Sequence, residues 1–224
     1  MGAGAIEYGL MYAAYIYSFK MLRAYEVALF TIFTPIYVAV INSLFEKKFK
    51  KIYFISAAAA VAGTMIITFN TPDQGNVALG FIMVQISNAA FAFGQLYYKK
   101  VMSEYGETSD IKVFGWMYAG AVVITGAMSI ASNGFSQISL NSVQILSLLY
   151  LGVVASGICF FLWNVGARMT NTGALALFNN LKIPAGIAIS IVVFGERGDY
   201  LRLIAGGVVI AAALWFNERT CKSE

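Results

Sequence analysis

Eight apolar stretches follow one another along this chain, and no polar segment between them is long enough to hold a water-soluble domain. They run approximately 5–22, 27–45, 52–69, 77–98, 111–131, 143–167, 174–194 and 200–216. A helix crossing about 30 Å of hydrocarbon needs roughly 20 predominantly apolar residues, and each stretch meets or approaches that length. Hydrophobic residues make up 59% of the chain and charged residues 12%, about half the charged share of a soluble domain. These features predict an all-α polytopic membrane protein, with whatever it does seated in or between its helices.

The charges orient it. Counting Lys and Arg on alternate sides gives ten on one (Lys47, Lys48, Lys50, Lys51, Lys99, Lys100, Lys112, Arg168, Arg219, Lys222) and four on the other (Lys20, Arg23, Arg197, Arg202), with Lys182 on neither. By the positive-inside rule the richer side, with the C-terminus, is cytoplasmic. The same rule accounts for the net charge of +4. No basic stretch interleaved with aromatics lies on a polar face, so a nucleic-acid partner is set aside. Histidine is absent, which removes the commonest metal ligand and proton shuttle. Cys159 and Cys221 lie in an apolar run and a polar tail and predict no disulfide. There is no Ser/His/Asp set, no Cys/His metal spacing and no phosphate loop, so nothing recommends an enzyme, a metal or a cofactor.

A repeat runs through the chain. Ala28-Leu29-Phe30 opens one apolar run and Ala176-Leu177-Phe178 another; Pro35 and Pro184 follow, then Glu46 before Lys47 and Glu196 before Arg197. Lys20 falls on Arg168 and Tyr15 on Trp163 at the same offset. Such a repeat in a strongly apolar chain points to a transporter of two homologous halves. Three helices precede the second proline run but only one precedes the first, so the pattern predicts eight helices of an expected ten, with two inverted five-helix repeats. Residues 1–72 would hold the last three helices of the first repeat and residues 73–224 the complete second. A genuine eight-helix protein whose halves diverged by loss stays open as the alternative.

Pro35 followed by Phe45-Glu46-Lys47, small residues from Ser56 to Gly63, Pro184 followed by Gly195-Glu196-Arg197, and then Gly206-Gly207 resemble the EamA-like domain of the drug/metabolite transporter superfamily. The resemblance covers about Tyr8 to Phe216. It implies ten spans in two repeats, with this chain matching spans three to ten. It also implies a cavity walled by the spans matching 5–22, 27–45, 77–98, 143–167 and 174–194. Phe45 stands where the family pattern has glycine.

The polar residues inside the runs mark the candidate site. A proline within a helix pushes away the carbonyl four residues earlier, which predicts freed carbonyls on Thr31 and Asn180. In lipid such a group must be met by protein, water or ligand. Thr31 and Thr34 flank one break; Asn179, Asn180 and Lys182 flank the other. Lys182 lies about 3 Å from the centre of its run at 1.5 Å per residue, too deep for its stem to reach an interface, so it should face a cavity or a partner. Gln85, Asn88 and Gln95 share one face of their run. Trp163, Asn164, Tyr12 and Tyr15 are further candidates for the wall, interfacial anchoring being the other reading of the tyrosines. No carboxylate is expected at mid-depth: Glu46 and Glu196 close helices, as ion pairs or gates, and Glu7 and Glu26 are placed near interfaces. Runs 52–69 and 200–216 carry small residues and read as close-packing helices or a homodimer surface.

The expected function is a bacterial-type inner-membrane permease or exporter of small organic metabolites, carboxylates or amino acids, working by alternating access. Lys182 with Asn179 and Asn180 would hold a carboxylate. Without a buried acid, facilitated diffusion or exchange is expected rather than proton-driven export. A non-transporting membrane subunit, or a drug or lipid exporter, is the alternative.

Overall fold

The computed structural model describes residues 1–68, 77–105, 109–132, 140–194 and 200–222. Among them every regular element is helical. Helix α1 spans residues 2–18; α2 is Ala24–Phe30 and α3 Thr34–Glu46, with a tight turn at Thr31–Phe33 between them. Then come α4 (Lys51–Thr68), α5 (Val77–Glu104), α6 (Asp110–Ala131), α7 (Ser142–Met169), α8 (Thr172–Phe194) and α9 (Tyr200–Lys222). Among the described residues five segments are long and apolar enough to cross a membrane: Glu26–Glu46, Val77–Glu104, Asp110–Ala131, Ser142–Met169 and Tyr200–Cys221. The apolar stretch Lys51–Ile67 is shorter.

Local chemistry sets several helix ends. Asn141 and Gln144 cap α7 reciprocally, each side chain accepting from the other's backbone N–H at 2.9 Å, the S/T-x-x-E pattern with amides in place of its usual residues. Glu26 accepts from the Arg23 backbone N–H at 2.8 Å at the start of α2. Lys47, at φ 50°, turns the chain out of α3 in a left-handed conformation that costs a non-glycine residue something. At the head of α8, Asn171 accepts from the Ala174 backbone N–H at 2.9 Å and from the Asn217 side chain at 2.8 Å.

Two helices depart from regular α geometry. In α1 the segment Ala5–Leu10 is widened by one residue per turn, the Met11 N–H reaching back to the carbonyl of Ile6. In α7, Tyr150–Cys159 is widened likewise. Insertions of this kind tend to sit at functional sites.

Small residues draw α4 and α9 together, as their composition predicted. A Cβ built on Gly206 would fall 2.3 Å from the carbonyl oxygen of Gly63, so these backbones touch and a side chain there has no room. Helices α3, α5 and α8 meet around Val38, Ala92, Leu96, Leu175 and Ala176. A second cluster joins α1, α5 and α6 through Tyr8, Met11, Ala90, Tyr98, Met117 and Ala121. The outside stays apolar: Val143, Leu146, Leu162, Val192 and Leu201 are largely exposed. A surface this greasy suits lipid rather than water.

The proline expectation needs one correction. Pro35 is not in the middle of a helix but in the first turn of α3, where its missing N–H would have had no helical partner anyway. The irregularity lies just before it, at Thr31–Phe33. Pro184, by contrast, sits inside the continuous helix α8.

Candidate functional site

The tight turn at Thr31–Phe33 takes the carbonyls of Phe30 to Ile32 out of the regular α pattern, and side chains donate to each of them, the Thr31 carbonyl also meeting the Thr34 N–H. The Thr34 hydroxyl donates to the Thr31 carbonyl at 2.7 Å. Asn88 and Gln85 of α5 donate to the Phe30 carbonyl at 3.0 and 3.2 Å. Asn180 of α8 donates to the Ile32 carbonyl at 2.9 Å and to that of Ala60 at 3.3 Å. Apart from the local Thr34 bond, each of these main-chain acceptors is given a partner from another helix, as an apolar interior demands.

Beside this break lies a cavity of about 460 Å³ between α1, α2, α3, α5, α7 and α8. Thr31, Thr34, Asn88, Trp163, Asn179, Lys182 and Tyr15 of the predicted set line it. They come from the five runs that the family resemblance assigned to the cavity wall. Met11, Tyr12, Ser87, Phe91, Cys159 and Phe160 complete much of the wall. Of these Phe91 follows Asn88 by three residues and Phe160 precedes Trp163 by three, so both fall on faces already marked.

The amides on the wall form one chain. Trp163 Nε1 donates to Gln95 Oε1 at 3.0 Å, Gln95 lies 3.5 Å from Asn179 Oδ1, and Asn179 Nδ2 donates to the Leu175 carbonyl at 2.8 Å. Gln95 is fully buried and fixes the Trp163 ring. Tyr12 and Ser156 share a hydrogen bond of 2.9 Å across α1 and α7.

Lys182 is different in kind. Its ammonium lies 5.9 Å from the Phe91 ring centroid, a cation–π distance, and makes no hydrogen bond or ion pair among the described residues. The cavity wall holds no carboxylate among them either. The pocket therefore offers one cation, aromatic faces from Phe91, Phe160 and Trp163, and amide and hydroxyl groups largely bound to other protein groups.

Some predicted residues turn elsewhere. Asn180 and Gln85 serve the backbone of the break rather than the wall. Asn164 is fully buried and points at Glu7. Glu7, placed near an interface by its position in the first run, is completely buried within the protein. The reason is Gly94, whose missing side chain leaves a hollow; a Cβ there would fall 2.2 Å from the Cβ of Glu7. Glu46 is at the end of α3, where it lines a second cavity of about 440 Å³ with Asn42, Lys99, Lys100 and Arg168. Arg168 pairs with Asp110 at 3.0 Å, while Glu46 has no ion pair among the described residues. Glu196 lies outside them.

Comparisons with known proteins agree on the class. Residues 78–217 match the EamA-like transporter family. The chain is 33% identical over 218 residues to a "probable biotin transporter" of Pseudomonas aeruginosa, covering 97% of this chain and 76% of that one. It is 32% identical over 220 residues to the biotin transporter of Escherichia coli K12, covering 98% and 73%. A "probable amino-acid metabolite efflux pump" of Salmonella typhimurium is more distant, at 24% over 183 residues, 78% of this chain and 60% of its own. A crystal structure of another protein superposes on 94% of this chain and 73% of its own with a TM-score of 0.72 at 15% identity, a likeness of fold alone.

Proposed function

Because the chain belongs to the EamA-like transporter family and is a multi-pass membrane transporter of small molecules, we propose that it carries a small organic carboxylate of the biotin type. The unpartnered ammonium of Lys182 in a mostly apolar cavity carries this reading. A carboxylate held there gains a charge-assisted bond and gives the cation the counter-charge it lacks. The ring faces of Phe91, Phe160 and Trp163 receive the apolar remainder, and the cavity volume lies in the range of small-molecule sites. Biotin combines a carboxylate, an aliphatic chain and a polar bicyclic head, a combination this lining suits. An amino acid would also bring an ammonium group, for which the described lining offers no carboxylate.

In this reading the two proline helices belong to inverted five-helix repeats, eight spans of this chain contribute, and the C-terminus faces the cytoplasm of a bacterial inner membrane. Alternating access carries the site from one side to the other. Asn42, Glu46, Lys99, Lys100 and Arg168 then form the mouth on the basic, cytoplasmic side, with Glu46 as a gate. By the sequence repeat Glu196 is the counterpart of Glu46.

The test is equilibrium binding of radiolabelled biotin to the purified full chain. Lys182→Ala is expected to weaken binding by more than tenfold, while Lys182→Arg keeps a substantial part of it. Unchanged affinity in Lys182→Ala removes the assigned role.

A further inference from the structure

Glu7 sits in the widened turn of α1, fully buried against the backbone of Gly94 on α5. Asn164 of α7 donates its Nδ2–H to Glu7 Oε1 at 3.1 Å and also reaches the Tyr8 hydroxyl. The other carboxylate oxygen, Oε2, has no partner, and neither has Asn164 Oδ1. Two buried acceptors thus stand without donors on two groups that are already bonded to each other.

No cation answers the charge. The charged groups on the surrounding helices are Lys99, Lys100 and Glu104 of α5, Asp110 and Lys112 of α6, and Arg168 of α7. Lys100 pairs with Glu104 at 4.0 Å, Arg168 with Asp110, and Lys99 donates to the Thr170 carbonyl. None lies within ion-pairing distance of Glu7 among the described residues. The titratable groups closest by packing are tyrosines: Tyr8 and Tyr12 of α1, Tyr98 of α5 and Tyr118 of α6. Ionised carboxylate in such a place is strongly disfavoured.

One proton resolves all of this. On Oε2 it cancels the charge and makes an orphan acceptor a donor; Asn164 Oδ1 is the acceptor waiting on the same partner. Carboxylic acid and primary amide then satisfy each other. We propose that Glu7, closed by Asn164, is a proton-binding site, filled in this conformation, whose proton exchanges with water when the helices rearrange, so that transport is coupled to protons. On release the acid's O–H bond breaks, the electron pair stays on Oε2 and the proton passes to water.

The coupling has a physical route. Met11 and Tyr12, one turn along α1 from Glu7 and Tyr8, line the substrate cavity, as does Trp163 beside Asn164. The Tyr8 ring packs on Phe160, another wall residue, with centroids 5.4 Å apart. The Tyr12–Ser156 bond ties the widened segment of α7 to α1, two residues beyond α1's own widened turn, and widened turns of this kind are frequent at functional sites. An ionised Glu7 favours any conformation that admits water to it, so occupancy by the proton and exposure of the cavity are linked. This inference rests on the transporter reading but not on the choice of substrate.

The first measurement needs no substrate. Infrared spectra of the purified full chain at neutral pH should contain the carbonyl band of a protonated carboxylic acid that Glu7→Gln lacks. In Asn164→Leu the band should move to higher frequency, because the acid loses its bonded amide. A spectrum identical in wild type and Glu7→Gln overturns the proposal. The second uses radiolabelled biotin in proteoliposomes: wild type should accumulate it under a pH gradient at least fivefold over the level at equal pH. Glu7→Gln should retain exchange at equal pH and lose the accumulation. Accumulation that survives in Glu7→Gln, or that follows a sodium gradient instead, overturns coupling through Glu7. If biotin is not carried at all, the substrate assignment fails while the infrared result still decides the proton site.

Discussion

The helices around Pro35 and Pro184 carry the same Ala-Leu-Phe and proline pattern, yet they answer their prolines differently. The first yields: the chain tightens at Thr31–Phe33 and restarts as α3 with Pro35 in its first turn. The second holds, and α8 runs through Pro184 without interruption. What separates them is the supply of side chains. Around the first, Thr34, Asn88, Gln85 and Asn180 take the carbonyls of Thr31, Phe30 and Ile32. An open turn surrounded by donors is stable; without them it would cost several kcal/mol of unmet backbone in an apolar setting. The difference also divides labour. Polar groups of the first break are bound to backbone, which leaves Lys182 of the unbroken helix as the group free to meet a ligand.

Removing the crosslink between the two helices should have the largest effect. Asn180 is fully buried and supports both the Ile32 and Ala60 carbonyls. Asn180→Leu leaves the buried Ile32 carbonyl without its side-chain donor, whereas the Ala60 carbonyl keeps the Thr64 hydroxyl at 2.7 Å. A loss of about 1–3 kcal/mol, the cost of one unmet buried acceptor, is expected in denaturant unfolding of the detergent-solubilised chain. A loss under about 1 kcal/mol would show that the break is held from elsewhere, because that is the worth of one ordinary hydrogen bond.

The prolines themselves give a difference of sign. Inside a helix a proline costs about 3 kcal/mol relative to alanine, so Pro184→Ala should stabilise the protein by about 1–3 kcal/mol once context has taken its share. Pro35 occupies a first-turn position for which its ring is already shaped. Pro35→Ala should therefore destabilise, by about 0.5 kcal/mol, through the freer unfolded chain. Thermal midpoints of both variants, measured side by side, check the contrast; a shift of the same sign in both would erase it.

The sequence carried the helices and the faces that line the candidate cavity well, because apolar length and helical spacing are local properties. Lys182, Trp163, Tyr15, Asn88 and Thr31 reach one cavity for that reason. It carried less well which of two neighbours faces inward. Successive helical residues differ by about 100°, so Asn179 turns to the wall while Asn180 turns to the Ile32 carbonyl. Trp163 and Asn164 divide in the same way. Glu7 was not legible at all. An acid close to the first residue of a chain reads as interfacial, and the hollow that receives it belongs to Gly94 on another helix, a relation no local pattern contains.

The smallest effect expected is at the break itself, and it separates two threonines that look alike in sequence. Thr31 Oγ donates to the Ala28 carbonyl at 2.7 Å, three residues back, a local bond that competes with the backbone's own. Thr34 Oγ donates to the Thr31 carbonyl at 2.7 Å and lies 3.2 Å from Asn88 Oδ1, fully inside the protein. Valine keeps the branched shape but not the hydroxyl. Thr34→Val should therefore cost about 1 kcal/mol, removing the hydroxyl's bonds to the Thr31 carbonyl and Asn88 while the Thr34 N–H still meets that carbonyl, whereas Thr31→Val should stay within about 0.5 kcal/mol. Equal losses at both positions would mean that the tight turn satisfies its own carbonyls. The contrast with α8 would then lie in the backbone, not in the side chains that surround it.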